Sequence, residues 1–195
     1  ITNAVKDVLK KCILTRGVKV DELPTFDIEY LFLNIRAKSI GEDIKMTVTC
    51  PDDGTTQVPV TVYVDEIEVI KPKDHKTDIV LDDKLTLRMK YPSLSQFVEN
   101  NFEVNDDPKT IVSKTFKVVA DCMDTVFTQE DAWEAKDYTP DERLKFIEQL
   151  NSKQYKEVEK FFATMPKLSH TIEVINPNTK QKNSVVLEGL ADFFG

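Results

Sequence analysis

The 195-residue sequence is poor in the residue types on which most enzyme sites depend, with five glycines and two histidines. Glycine-rich loops cradle phosphate groups, and no such loop pattern is present. His75 stands in a mixed-charge loop and His170 at the start of a predicted strand. Neither belongs to a G-x-S-x-G or Cys-His pattern of the kind that marks a catalytic nucleophile and its base. The sequence therefore predicts no catalytic residue, no cofactor and no enzymatic activity.

Cysteine is equally scarce, with Cys12, Cys50 and Cys122 far apart in the chain. An odd number at wide spacing is atypical of a disulfide framework and indicates buried free thiols. The turn that begins at Cys50 is echoed by a turn that begins at Asn176, and two Cys-Pro-x-x-Cys turns would complete a tetrahedral zinc site. Here the two turns supply one thiol between them, so the sequence predicts no metal site.

The chain also lacks an excess of positive charge and any long apolar run. Its 26 Lys and Arg residues are interspersed with 34 Asp and Glu residues, for a net charge of -8. Because binding of duplex nucleic acid requires clustered basic side chains, we expect no nucleic-acid partner. No stretch approaches the roughly 20 apolar residues of a membrane-spanning helix, so we expect no membrane contact. The composition predicts a globular protein of the cytoplasm, or of a particle assembled there.

One helix is predicted more strongly than any other element, in the stretch Pro24–Gly41. Thr25 can cap its first N–H groups, and Gly41 can provide the left-handed residue that ends it. Apolar side chains occupy most of its circumference, and they are Phe26, Ile28, Tyr30, Leu31, Phe32, Leu33, Ile35 and Ala37. We therefore expect a central helix that is buried on nearly every side.

Alternating and helical apolar patterns divide the chain into four segments and predict an α+β fold. Residues 1–42 are predicted to form an N-terminal helical hairpin with the central buried helix, and residues 43–92 a small antiparallel β-sheet of four or five strands. Residues 93–166 are predicted to be helical, with one helix from Lys109 to about Val126. Residues 167–195 are predicted to form a C-terminal β-hairpin and a short terminal helix. We expect one compact unit or two tightly packed ones.

Aromatic residues are the candidates for a protein-binding surface. Trp133 with Tyr138, and Phe193 with Phe194 near the end of the sequence, are side chains of the kind that dominate interfaces. Burial in the core is the competing interpretation for each pair. Exposed edges of the predicted sheet offer strand addition as a second mode of docking.

Several stretches carry a resemblance that spans nearly the whole chain. Phe26–Glu42 reads FDIEYLFLNIRAKSIGE, and Cys50–Gly54 reads CPDDG. With ITNA at residues 1–4, MPKLSH at 165–170 and LEGLADFF at 187–194, the sequence resembles the T4-type bacteriophage baseplate hub assembly family of contractile-tailed phages. Family members usually carry a further segment before the position of Ile1, and this chain begins without Met. We therefore expect an N-terminal segment to be missing.

The resemblance implies a non-catalytic viral protein that takes part in assembly of the central hub of a contractile phage tail baseplate. Its implied partners are other phage baseplate hub proteins. Its implied location is the host cytoplasm during assembly, with the tail baseplate of the virion as a further location. The residues leave two alternatives open: a metal-dependent or hydrolytic tail enzyme with an unrecognised site, and a degenerate zinc-ribbon module that binds nucleic acid.

Overall fold

The computed structural model describes residues 2–93, Gln96 and 108–194, and it mixes helices with antiparallel strands. In this part of the chain the α-helices are α1 (Thr2–Cys12), α2 (Thr25–Ile40), α3 (Pro108–Asp121), α4 (Pro140–Glu148), α5 (Ser152–Ala163) and α6 (Gly189–Phe194). The strands are β1 (Asp43–Thr49), β2 (Gln57–Tyr63), β3 (Glu68–Ile70), β4 (Asp78–Val80), β5 (Thr86–Met89), β6 (Met123–Phe127), β7 (Ala132–Glu134), β8 (Lys167–Ile175) and β9 (Lys182–Glu188). None of these helices combines the length and apolarity needed to span a membrane. The predicted α+β class is confirmed.

The described strands form three antiparallel sheets. β1 pairs with β2, β3 joins the hairpin of β8 and β9, and β4 to β7 form a four-stranded sheet in sequence order. Five strands lie between residues 43 and 92, as the alternating pattern predicts, but they do not form one sheet among themselves. An alternating pattern marks a strand and its buried face, whereas tertiary packing selects its hydrogen-bonding neighbour.

The first of two compact units contains the described residues of 1–20, 26–70 and 166–195. Its core takes side chains from α2, from both hairpins and from α6, including Leu33, Val62, Leu168 and Phe193. These residues come from the two ends of the described chain, so this core forms only when distant segments meet.

Helix α2 is less deeply buried than its sequence predicts. It ends at Ile40, and the next residue, Gly41, has a φ of 122° that fits the predicted left-handed stop. Ile28 and Leu33 are buried, but 41% of Tyr30 and 72% of Ile40 remain exposed. The expectation of burial on nearly every side is therefore wrong for the outer face of this helix.

The second unit contains the described residues of 21–25 and 71–165. Its four-stranded sheet packs with α3, α4 and α5 around a core that includes Leu87, Val119, Ile147 and Phe161. The helix predicted from Lys109 to about Val126 is wrong in its last part. α3 ends at Asp121, and β6 follows with Val126 opposite Leu87 of β5. The run Thr125-Val126-Phe127 consists of β-branched and aromatic residues that fit a pleated sheet, and pairing with β5 selects that structure.

Candidate functional site

The second unit has an open, mainly apolar groove of about 400 Å³. Its lining comes from the turn before β5, from β6 and β7, and from the chain into and along α4: Leu85, Met123, Val126, Trp133, Ala135, Tyr138, Glu142, Arg143 and Phe146. Pockets that hold small ligands typically have volumes of roughly 300–1,000 Å³. The groove is therefore large enough for one or two partner side chains.

Two of the predicted interface residues, Trp133 and Tyr138, lie together in this groove. Trp133 sits opposite Val126 in the pairing of β7 with β6, and β7 is the last strand in its sheet. A 3₁₀ helix over Ala135–Asp137 follows β7, and Tyr138, the next residue, lines the same groove. Trp133 is 39% exposed and Tyr138 is 40% exposed. Both rings are thus held by local structure while remaining accessible to a partner.

The start of α4 fixes the opposite wall of the groove. Thr139 accepts a hydrogen bond from the Glu142 N–H, and the Glu142 carboxylate accepts one from the Thr139 N–H at 2.9 Å. This capping box, with Pro140 as the first helical residue, stops the helix from beginning elsewhere. The Thr139 bonds also hold the pKa of Glu142 below its usual value. Arg143 and Phe146 follow one turn apart on the groove side.

Arg143 is the one basic residue among the described residues that line the groove. Its Nη2 donates to Asp121 Oδ1 at 3.3 Å, and the side chains of Arg143 and Asp121 are 16% and 21% exposed. Within the described part of the chain, its buried Nε has no hydrogen-bond partner. Sequence reasoning does not identify Arg143, because a lone arginine on an amphipathic helix looks the same whether its neighbours are water or protein.

A second polar arrangement joins the tips of the two hairpins in the first unit. The Asn176 Nδ2 donates to Asp52 Oδ1 at 2.9 Å and to Asp53 Oδ2 at 3.0 Å. The Asn183 Oδ1 accepts from the Asp52 N–H at 3.0 Å, and the Thr179 hydroxyl donates to the other Asp52 oxygen. Hydrogen bonds from Thr179 and Asn176 hold the pKa of Asp52 below its usual value, and bonds from Thr56 do so for Asp53.

These are the two turns that the sequence relates to a zinc ribbon, and the structure does bring them together. Asn176 supplies an amide where a zinc knuckle would supply a thiol, and Cys50 is fully buried beside the junction. Within the described ranges, no group of three or more His, Cys, Asp or Glu side chains could hold a metal ion. A hydrogen-bonded lock therefore occupies this junction.

The other two predicted interface residues lie apart from the groove, in the first unit. Phe193 is 2% exposed and belongs to the core, whereas Phe194 is 38% exposed. The Arg36 guanidinium lies 4.6 Å from the centre of the Phe194 ring, which is cation–π geometry. An interface role for all four aromatic residues stays a prediction, and the groove unites only Trp133 and Tyr138.

His75 is buried, although its sequence context suggests an exposed loop. Only 7% of the residue is accessible, and its ring lies between Tyr91 Oη at 2.9 Å and Thr164 Oγ1 at 3.0 Å. The Thr164 hydroxyl donates to the Lys160 carbonyl at 2.7 Å, so it accepts from Nδ1–H and leaves Nε2 to accept from Tyr91. Burial lowers the pKa of His75, which favours this neutral form. The geometry assigns His75 a structural role.

A family model described as T4 bacteriophage base plate protein matches residues 1–195. No curated protein and no solved structure shows significant similarity to the chain. The family match confirms the resemblance in the sequence, and it supports a structural role in the phage baseplate together with other baseplate proteins. The chain belongs to the T4 bacteriophage base plate protein family.

Proposed function

We propose that this protein takes part in the assembly of the central hub of a contractile phage tail baseplate through protein–protein contacts and without catalysis. Its partners would be other baseplate hub proteins, met in the host cytoplasm during assembly. The membership of the baseplate family supports the general role. The observation that carries the contact mechanism is the groove that presents Trp133 and Tyr138.

The groove has the features of an interface hot spot. Tryptophan and tyrosine bury large areas at low conformational cost, and they contribute most when a pocket shields them from water. Trp133 and Tyr138 are both partly exposed, on backbone that a sheet and a capped helix hold in place. A partner side chain that enters the groove would bury the rest of both rings without first ordering a loop.

Native mass spectrometry tests this proposal. The protein would be mixed with each candidate hub subunit of its own phage. We expect a defined complex that the Trp133→Ala and Tyr138→Ala variants form at least about 30-fold more weakly, since a hot-spot residue contributes roughly 2 kcal/mol or more.

Tyr63→Ala is the matched control, because Tyr63 is 52% exposed and lies outside the groove. Its complex should keep wild-type affinity. The absence of any complex with hub subunits would overturn the proposed function, whereas equal binding by all three variants would overturn the groove as the contact. Thermal melting followed by circular dichroism identifies a variant that has merely lost its fold.

The composition of finished phage particles separates two forms of the same role. A complex present during assembly and absent from purified tails would mark a transient assembly factor. A complex that persists in purified tails would mark a structural subunit of the hub.

A further inference from the structure

Arg143 has more hydrogen-bond donors than the described residues around it satisfy. A guanidinium carries five N–H donors. Its bond to Asp121 is 3.3 Å long, which exceeds the roughly 2.7–2.9 Å of strong charge-assisted bonds. The buried Nε has no partner among the described residues. A buried donor without an acceptor is unfavourable, so an added anionic acceptor would be favoured in this groove.

The neighbours of Arg143 give the groove a combined chemistry. Trp133, Tyr138 and Phe146 line it with aromatic carbon, and Arg143 places a positive charge in the same lining. We propose that the groove binds a partner segment in which a large apolar side chain stands beside a single carboxylate. The apolar side chain would lie against Trp133 and Tyr138, and the carboxylate would accept hydrogen bonds from Arg143.

The charges around the groove favour a partner segment with a single carboxylate over one with several consecutive acidic residues. Glu142 also lines the groove, but its carboxylate is engaged by the N–H and hydroxyl of Thr139 at 2.9 and 2.8 Å. Asp121 already offers one negative charge to Arg143, and the whole chain carries a net charge of -8. A second or third partner carboxylate would meet repulsion, because the described residues of the groove lining include no other cation to offset its charge.

This inference rests on the proposed function for the identity of the partner, but its chemistry can be tested without one. Trp133 is the single tryptophan of the chain, so intrinsic fluorescence reports directly on the groove. The probes are 3-phenylpropionate and its neutral counterpart 3-phenylpropanamide, titrated into the full chain. We expect saturable changes in emission, with the amide binding about tenfold more weakly than the acid.

The Arg143→Gln variant should reduce binding of the acid to the level of the amide. Arg88→Gln is the matched control: Arg88 pairs with Asp78 at 2.7 and 2.8 Å, lies outside the groove, and should leave the preference intact. Arg143→Lys keeps the charge and should retain part of the preference. Thermal melting and the emission maximum without probe show whether each variant keeps its fold.

Three results would overturn the inference: no binding of either probe, equal binding of acid and amide by the wild-type protein, or a preference that survives in a folded Arg143→Gln variant. A hub complex that forms while the probes fail would remove this inference and leave the proposed function. Selective binding of the acid without any hub complex would support this inference and overturn the proposed function.

Discussion

Asn176 should be among the residues whose loss most weakens the first unit, although it lies in a hairpin turn. Its side chain is fully buried, with Nδ2 donating to Asp52 and Asp53 and Oδ1 accepting from the N–H groups of Asn178 and Thr179 at 2.8 and 3.3 Å. One amide group thus joins two hairpin tips that are more than a hundred residues apart in sequence. Asn176→Ala removes all four hydrogen bonds together.

We expect Asn176→Ala to lower the free energy of unfolding by about 2–4 kcal/mol. Single hydrogen bonds contribute about 0.5–1.5 kcal/mol and those to charged partners more, but water can reach the exposed tips and recover part of the loss. Asn178→Ala is the matched control, because this exposed residue contributes one side-chain bond, to Thr56 at 2.8 Å. Asn178→Ala should lower the free energy of unfolding by less than about 1 kcal/mol.

Hydrogen exchange measured by mass spectrometry would report the loss of local stability at the two hairpin tips that Asn176 joins. The Cys50 and Lys180 amides, which donate at 2.8 and 2.9 Å within the two turns, should exchange roughly 30- to 800-fold faster in Asn176→Ala. Asn176→Asp replaces the donor with a third carboxylate, so it should be unstable at neutral pH and recover in acid. Exchange no faster than in Asn178→Ala would refute the view that Asn176 locks the hairpins together.

Two further predictions concern buried titratable groups. Burial lowers the pKa of His75 in the folded protein below its value of about 6.5 in the unfolded chain. Above pH 6.5 the ring is neutral in both states, and the contribution of His75 to the free energy of unfolding is complete. As the pH falls from 6.5 through the lower pKa of the folded protein, the unfolded state binds the proton more readily and this contribution is lost. Urea midpoints measured across this range should fall more steeply for wild-type protein than for His75→Gln, and parallel curves would contradict this. Burial raises the pKa of Cys122 to about 12 and raises that of Cys50, whereas Cys12 is exposed. Iodoacetamide should therefore modify Cys12 alone in native protein and all three thiols in urea, as read by peptide mass spectrometry.

The cysteines also show where local reasoning reaches its limit. Their sequence spacing indicates free thiols, and all three are free in the structure. The same reasoning expects all three to be buried, which is wrong for Cys12. Cys12 is the last residue of α1, and whether a residue at a helix end is covered depends on packing that its neighbours in sequence do not encode.

The sequence predicts several single features of the groove, but it does not predict that they lie together. Large aromatic residues in irregular sequence suggest Trp133 and Tyr138 as contact residues, and the Thr139-Pro140 start of α4 is legible from capping chemistry alone. The sequence around Val126, however, fits a longer helix as well as it fits β6. Pairing with β6 places Trp133, and the sequence does not predict β6. The sequence therefore does not predict that these residues form a groove.

The sequence by itself determined the features that depend on neighbours within a few residues: the end of α2 before Gly41, the capped start of α4, the two hairpins and their turns, the α+β class, and the motifs that mark the baseplate family. Tertiary structure alone decided which strands share a sheet, that Asn176 meets Asp52 and Asp53, and that Arg143 shares a groove with Trp133. Periodicity records which face of an element is apolar, whereas contacts between residues far apart in sequence are selected by the packing and hydrogen bonding of the whole chain.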